Sequence, residues 1–112
     1  MHYFALLLGP EPTEQPDAAT EAQIMHAYAE FHAAASPALL AGAALHPPST
    51  ATTVRVRDGQ AAFTDGPYAE GAEVANGFYV LRAADRDEAV KLASMIPATT
   101  VELRRLADVG GL

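Results

Sequence analysis

The sequence predicts an α+β domain, a ferredoxin-like antiparallel sheet with two helices on one face plus an extra β-hairpin. Two observations place the elements in the order β-α-β-(β-hairpin)-β-α-β. Two stretches carry apolar residues at helical period behind capping residues, and the six runs around them are short and bounded by Gly or Pro. A third concerns assembly: two of the strands are apolar on both faces, so one face of the sheet needs a cover that this chain does not supply.

The first strand is read over residues 2–8. Its faces are His2, Phe4, Leu6, Leu8 and Tyr3, Ala5, Leu7, and Gly9-Pro10 stops it. A Pro-rich connection leads to a helix that starts at Asp17 or Thr20 and runs to Ala35. Thr20-Glu21-Ala22-Gln23 has capping-box spacing, and Ile24, Ala27, Tyr28, Phe31 and Ala35 share one stripe. Ser36-Pro37 ends this helix. Leu39–Leu45 reads as a turn into a short strand ending near His46, broken by Pro47-Pro48.

Thr52–Arg57 alternates, with Val54 and Val56 opposite Arg55 and Arg57. Asp58-Gly59 is a two-residue hairpin turn, and Gln60–Thr64 returns as the partner strand. Asp65-Gly66-Pro67 turns the chain again, Tyr68–Asn76 reads as a loop with room for one helical turn, and Gly77–Ala83 is a strand. Asp85 with Glu88 opens the second helix, whose stripe is Ala89, Leu92, Ala93 and Ile96 before Pro97. Thr99–Leu106 is the last strand, with Val101 and Leu103 inward. No repeat or internal boundary divides the chain, so residues 1–112 are read as one domain.

Composition narrows the function. The chain has 112 residues, half of them hydrophobic, and no cysteine, which excludes a disulfide framework, a thiol nucleophile and a thiolate metal site. Net charge is −7, and all seven Lys and Arg lie from Arg55 onward. Without a basic stripe, neither nucleic acid nor an anionic membrane is expected as a partner. The apolar run Tyr3–Leu8 is too short to span a bilayer and lacks a basic flank, so a cytoplasmic protein is expected. The two-faced strands point to a second copy packed sheet to sheet, a homodimer with two-fold symmetry.

The run Thr64-Asp65-Gly66-Pro67-Tyr68-Ala69-Glu70, then Glu73 and Gly77-Phe78-Tyr79-Val80-Leu81, resembles the signature of YCII-related proteins of the DGPF type. Leu45-His46-Pro47-Pro48, Thr52-Thr53-Val54-Arg55 and the helix ending at Pro97 fit as well. The resemblance implies pairing as a dimeric α+β barrel. For function it implies small-molecule enzymes, partly from a His–Asp arrangement in a cleft. A distant relative is a dehydrochlorinase, and some DGPF-type domains accompany sigma-factor genes. Gly71 and Ala72 stand where the family usually has Thr-Lys, Tyr68 replaces Phe, and Asn76 replaces the first Gly of a pair. The change removes a cation or base beside Glu70 and Glu73.

The candidate catalytic residues are Asp65 and His46. Asp65 reads either as a carboxylate base or anchor, or as a cap on its own turn. His46 stands where a strand end meets a cleft. Tyr68, Glu70, Glu73 and Arg55 are the candidate substrate-binding residues. Glu70 and Glu73 share a face if a helical turn forms there, Tyr68 offers a hydroxyl, and Arg55 reaches the cleft if it folds over. His26 is read as solvated, His32 as lying at the edge of its stripe, and Tyr79 as packing. No histidine pair has a compact ligand spacing, so no metal and no cofactor are expected.

Two functions stay open. One is a small-molecule-binding, cofactor-free enzyme of lyase or isomerase type with its cleft beside the sheet. The other is a non-catalytic regulatory module linked to sigma-factor-dependent transcription. Substrate and reaction are not written in the sequence.

Overall fold

A computed structural model describes residues 1–11, 15–69 and 71–107. The elements are β1 (His2–Pro10), α1 (Ala18–Ala35), β2 (Leu39–Ala44), β3 (Thr52–Arg57), β4 (Gln60–Asp65), β5 (Glu73–Arg82), α2 (Arg86–Ala93) and β6 (Thr100–Arg105). Strands β2, β5, β1 and β6 form one four-stranded sheet in that order, every neighbouring pair antiparallel. This is the ferredoxin-like arrangement. Strands β3 and β4 make a separate two-stranded sheet.

Local chemistry explains where the helices start. Asp17, not Thr20, caps α1: its carboxylate accepts the Thr20 amide at 2.7 Å, and that bond holds the carboxyl below its ordinary pKa. At α2 the capping box closes in both directions. Asp85 accepts from the Glu88 amide at 2.9 Å, and Glu88 accepts from the Ala84 amide at 2.9 Å. The hairpin turn has positive φ at Asp58 (52°) and Gly59 (77°), the primed geometry that suits strand twist.

Pleat parity divides the sheet. Tyr3, Ala5 and Leu7 of β1 and Tyr79 and Leu81 of β5 are buried with Phe31 and Ala35 of α1 and Ala89 and Ala93 of α2. Phe4, Leu6, Leu8, Phe78 and Val80 lie on the other face and are only half-buried. Phe4 and Phe78 stack there, with centroids 5.5 Å apart. Neither helix supplies a residue to this uncovered side, as the two-faced strands implied.

Two expectations about strand limits need correction. Strand β1 runs past Gly9 to Pro10, and β5 begins at Glu73 rather than Gly77. One cause serves both. Gly9 pairs with Val74 and Pro10 with Glu73, while the register slips between Leu7 and Leu8 so that Asn76 is an extra residue in β5. A bulge lets pairing continue through a stretch whose alternation is broken, and broken alternation reads as loop. The helical turn that would have joined Glu70 to Glu73 is also excluded at Glu73, which is in a strand; Glu70 lies outside the described residues.

The hairpin hangs free of the main core. Val54, Val56 and Phe63 are 53%, 70% and 72% exposed. A lone two-stranded ribbon is marginal in water, so burial elsewhere would stabilise it. The radius of gyration, 16.2 Å, exceeds the roughly 13 Å of a compact domain of about this length.

Candidate functional site

The stripe on α1 reads Ile24, Ala27, Tyr28, Phe31, Ala35, but burial fades toward its start. Phe31 and Ala35 are buried, Ala27 and Tyr28 half-buried, and Ile24 is 46% exposed. The floor beneath the early turns explains this. It is built of Gly42, Ala43 and Ala44 on β2 and Gly77 on β5, residues too small to reach up to the helix. The space left is a cavity of about 400 Å³, walled by Leu7 and Ile24 and carrying Tyr28, His32, Tyr79 and Asn76. That is within the range of small-ligand sites.

His32 Nε2 and the Tyr79 hydroxyl are 2.7 Å apart and share one hydrogen bond. The phenol donates when Nε2 is bare, and the imidazole donates when Nε2 carries the proton. The Tyr79 ring is fixed edge-on against Phe31 (centroids 5.2 Å apart) and His32 (5.5 Å). Beneath it Gly42 is required: a Cβ there would lie 2.4 Å from Tyr79 Cδ1. The bulge at Asn76 delivers the fourth polar residue, and the Asn76 carbonyl accepts from the Leu45 amide at 2.9 Å.

Both phenols are held above the ordinary tyrosine pKa of 10.0, Tyr28 by burial and Tyr79 by burial first and then by its proximity to Tyr28. The fold therefore favours the protonated phenols, while the unfolded chain ionises near pH 10. Their contribution to stability is complete below pH 10 and declines as the pH rises through the higher folded values. In urea titrations between pH 8 and pH 12, stability is expected to fall above about pH 10. The double variant Tyr28→Phe/Tyr79→Phe should flatten that fall, and an unchanged slope would remove these phenols as its source.

The described residues expected at the site from the sequence do not line this cavity. Asp65 closes β4 and His46 follows β2; both are exposed, and neither lines the cavity under α1. Their chain neighbours Pro48, Ser49, Gly66 and Pro67 meet Gly71 and Val74 around a second cleft of about 380 Å³. At this corner the Gly66 amide donates to the Ala51 carbonyl and Thr53 Oγ1 to the Gly66 carbonyl, each at 2.8 Å. Arg55 and Tyr68 come together, the guanidinium carbon 5.7 Å from the ring centroid. Glu73 accepts from Thr100 Oγ1 at 3.2 Å, on the edge facing β6.

His26 is solvated and sits 3.0 Å from Glu30. Among the described residues no three His, Asp or Glu side chains cluster as metal ligands. Among the described residues no helix is long and apolar enough to cross a membrane.

What sequence reasoning missed is the His32–Tyr79 pair, 47 residues apart. One local signal was present: Tyr28 and His32 are four apart, and so share a helix face.

A ferredoxin-like α+β sheet with a ligand-sized cavity under its first helix defines the class. The model of the YCII-related domain matches residues 1–108, and the chain belongs to that family. No curated protein matches the chain.

Proposed function

We infer that this YCII-related protein is a small-molecule-binding, cofactor-free enzyme of lyase or isomerase type, with its cleft beside the sheet. The supporting observation is the cavity under α1, where a hydrogen-bonded His32–Tyr79 pair faces apolar walls. An imidazole bonded to a phenol can take up or release a proton at a bound substrate, and Tyr28 adds a donor for an oxygen that gains charge. A small apolar chamber with a few convergent polar groups favours this reading over a purely protein-binding module.

The signature turn belongs to the proposal as a second element. Asp65 and Tyr68 flank Gly66-Pro67 in the chain, Glu73 precedes Val74, His46 lies two residues before Pro48, and Arg55 meets Tyr68. The turn's bonds at Gly66 run through Ala51 and Thr53. We take the protein as a cytoplasmic homodimer of the DGPF type, joined through the uncovered sheet face as an α+β barrel. That assembly would cover Phe4, Leu6, Leu8, Phe78 and Val80.

A fragment screen read by amide chemical shifts tests the site. Hits should move Gly42, Ala44, Asn76 and Gly77 and lose at least roughly tenfold affinity in His32→Ala, about 1.4 kcal/mol. Hits confined to Gly66, Gly71 and Val74 would transfer the site to the turn, and a screen without hits at either place would reject the enzyme reading.

A further inference from the structure

The walls of the cavity under α1 carry no fixed charge, although the chain is acidic. None of the seven Lys and Arg lines it, and among the described residues no Asp or Glu does. The omission is systematic on two walls: α1 and β2 lie wholly within residues 1–54, which contain no Lys or Arg at all. The charges on α1 are the acids Glu21 and Glu30, so the helix over the cavity repels anions. An anion entering would leave water without an ionic partner, and a cation would find no carboxylate, so either would meet a desolvation cost.

The polar groups that are present suit a neutral oxygen. Tyr28, Tyr79, His32 and Asn76 all belong to the lining. Tyr79 already shares its proton with His32 at 2.7 Å, which leaves the Tyr28 hydroxyl and the Asn76 amide as donors without a partner among the described residues. Burial raises both phenols above the ordinary tyrosine range, which favours their protonated, hydrogen-bond-donating form. Leu7, Ile24, Ala43 and Ala44 offer only hydrocarbon to the remainder of the ligand.

We propose that this cavity takes an uncharged, mostly apolar molecule bearing one carbonyl or hydroxyl oxygen, bound by Tyr28 and the Tyr79–His32 pair, and discriminates against ions of the same size. The inference rests on the cavity being the ligand site, as proposed above.

Three probes of nearly one shape separate the possibilities: cyclohexyl methyl ketone, cyclohexanecarboxylate and cyclohexylmethylamine. Each is titrated into the full chain at pH 8.5, above the ordinary imidazole range. The ketone should move the amides of Gly42, Ala44, Asn76 and Gly77 with at least roughly tenfold higher affinity than either ion. Tyr28→Phe should weaken the ketone. Ile24→Lys, a change at a residue 46% exposed, should raise carboxylate affinity by placing a cation at the rim. An ion that binds these amides as tightly as the ketone overturns the selectivity and leaves the site reading standing. So does failure of all three probes while fragments from the wider screen still bind there. Failure of the probes and of every fragment at these amides overturns both.

Discussion

Replacing Leu81 with Ala is expected to remove about 3 kcal/mol of folding stability, on the order of a 12 °C fall in thermal midpoint. Leu81 is the largest fully buried side chain, 0% exposed. It stands on a central strand of the sheet, paired with Tyr3 on one side and Leu39 on the other. What surrounds it in the core sets the magnitude. Ala5, Ala35, Ala83, Ala89 and Ala93 are all members of the same cluster. An alanine has no rotamer with which to fill a void, so the space left by the isobutyl group would persist. That puts the substitution in the range of roughly 2–5 kcal/mol observed when a buried leucine is cut back, where incomplete collapse sets the cost. For a domain whose total stability is of order 5–15 kcal/mol, this is a large share. Urea denaturation of both proteins gives the value directly; a difference below about 1 kcal/mol would mean that this alanine-lined core closes around the gap.

Phe78→Asp is expected to leave the fold intact and to separate the proposed dimer. Phe78 lies on the side of the sheet away from the helices, half-buried and stacked on Phe4. The helix-side core is therefore not touched. In a sheet-to-sheet dimer the new carboxylate would be enclosed with Phe4, Leu6, Leu8 and Val80, while the cations of that face, Arg82 opposite His2 and Arg104 opposite Phe4, are exposed at its margin. A charge buried without a close partner costs about 4 kcal/mol, roughly a thousandfold in the dissociation constant. Light scattering at micromolar concentration should give twice the chain mass for the native protein and the single mass for the variant. Far-UV circular dichroism should show helix and strand retained. A native protein that already runs at the single mass, or a variant that keeps the doubled mass, would reject the proposed interface.

Most of the architecture was legible in the residues because burial leaves periodic traces. Asp85 with Glu88 announced α2, Asp58-Gly59 announced the hairpin turn, and the double apolar face of Tyr3–Leu8 announced a sheet side that both helices leave bare. Where these cues stopped, so did the reading. Glu73–Asn76 looked like loop because the extra residue at Asn76 breaks the alternation on which strand reading depends. The choice between Asp17 and Thr20 as the cap depended on backbone angles that the sequence does not carry.

The candidate site was less legible for a different reason. Asp65 and Tyr68 attract attention because turn residues are locally conspicuous. His32 and Tyr79 meet only after α1 has crossed the sheet, and the feature that makes room for them is an absence of side chain at Gly42 and Gly77. A cavity is defined by what its floor lacks, and small residues in an alanine-rich passage look like filler.

The bulge at Asn76 also works as a frame marker for the chain on either side of it. Downstream, the odd positions 77, 79 and 81 address the helices. Upstream, Ala75 pairs with Leu8 and so belongs to the opposite side of the sheet, while Val74, opposite Gly9, returns to the helix side. One inserted residue has exchanged odd for even. Length changes in the signature turn can be absorbed by the turn itself, but loss of Asn76 alone would restore strict alternation. Every pair would be kept, with Ala75 still opposite Leu8, so Glu73 and Val74 would hold their present faces. The residue that pairs with nothing is the one that makes odd and even numbers change sides of the sheet.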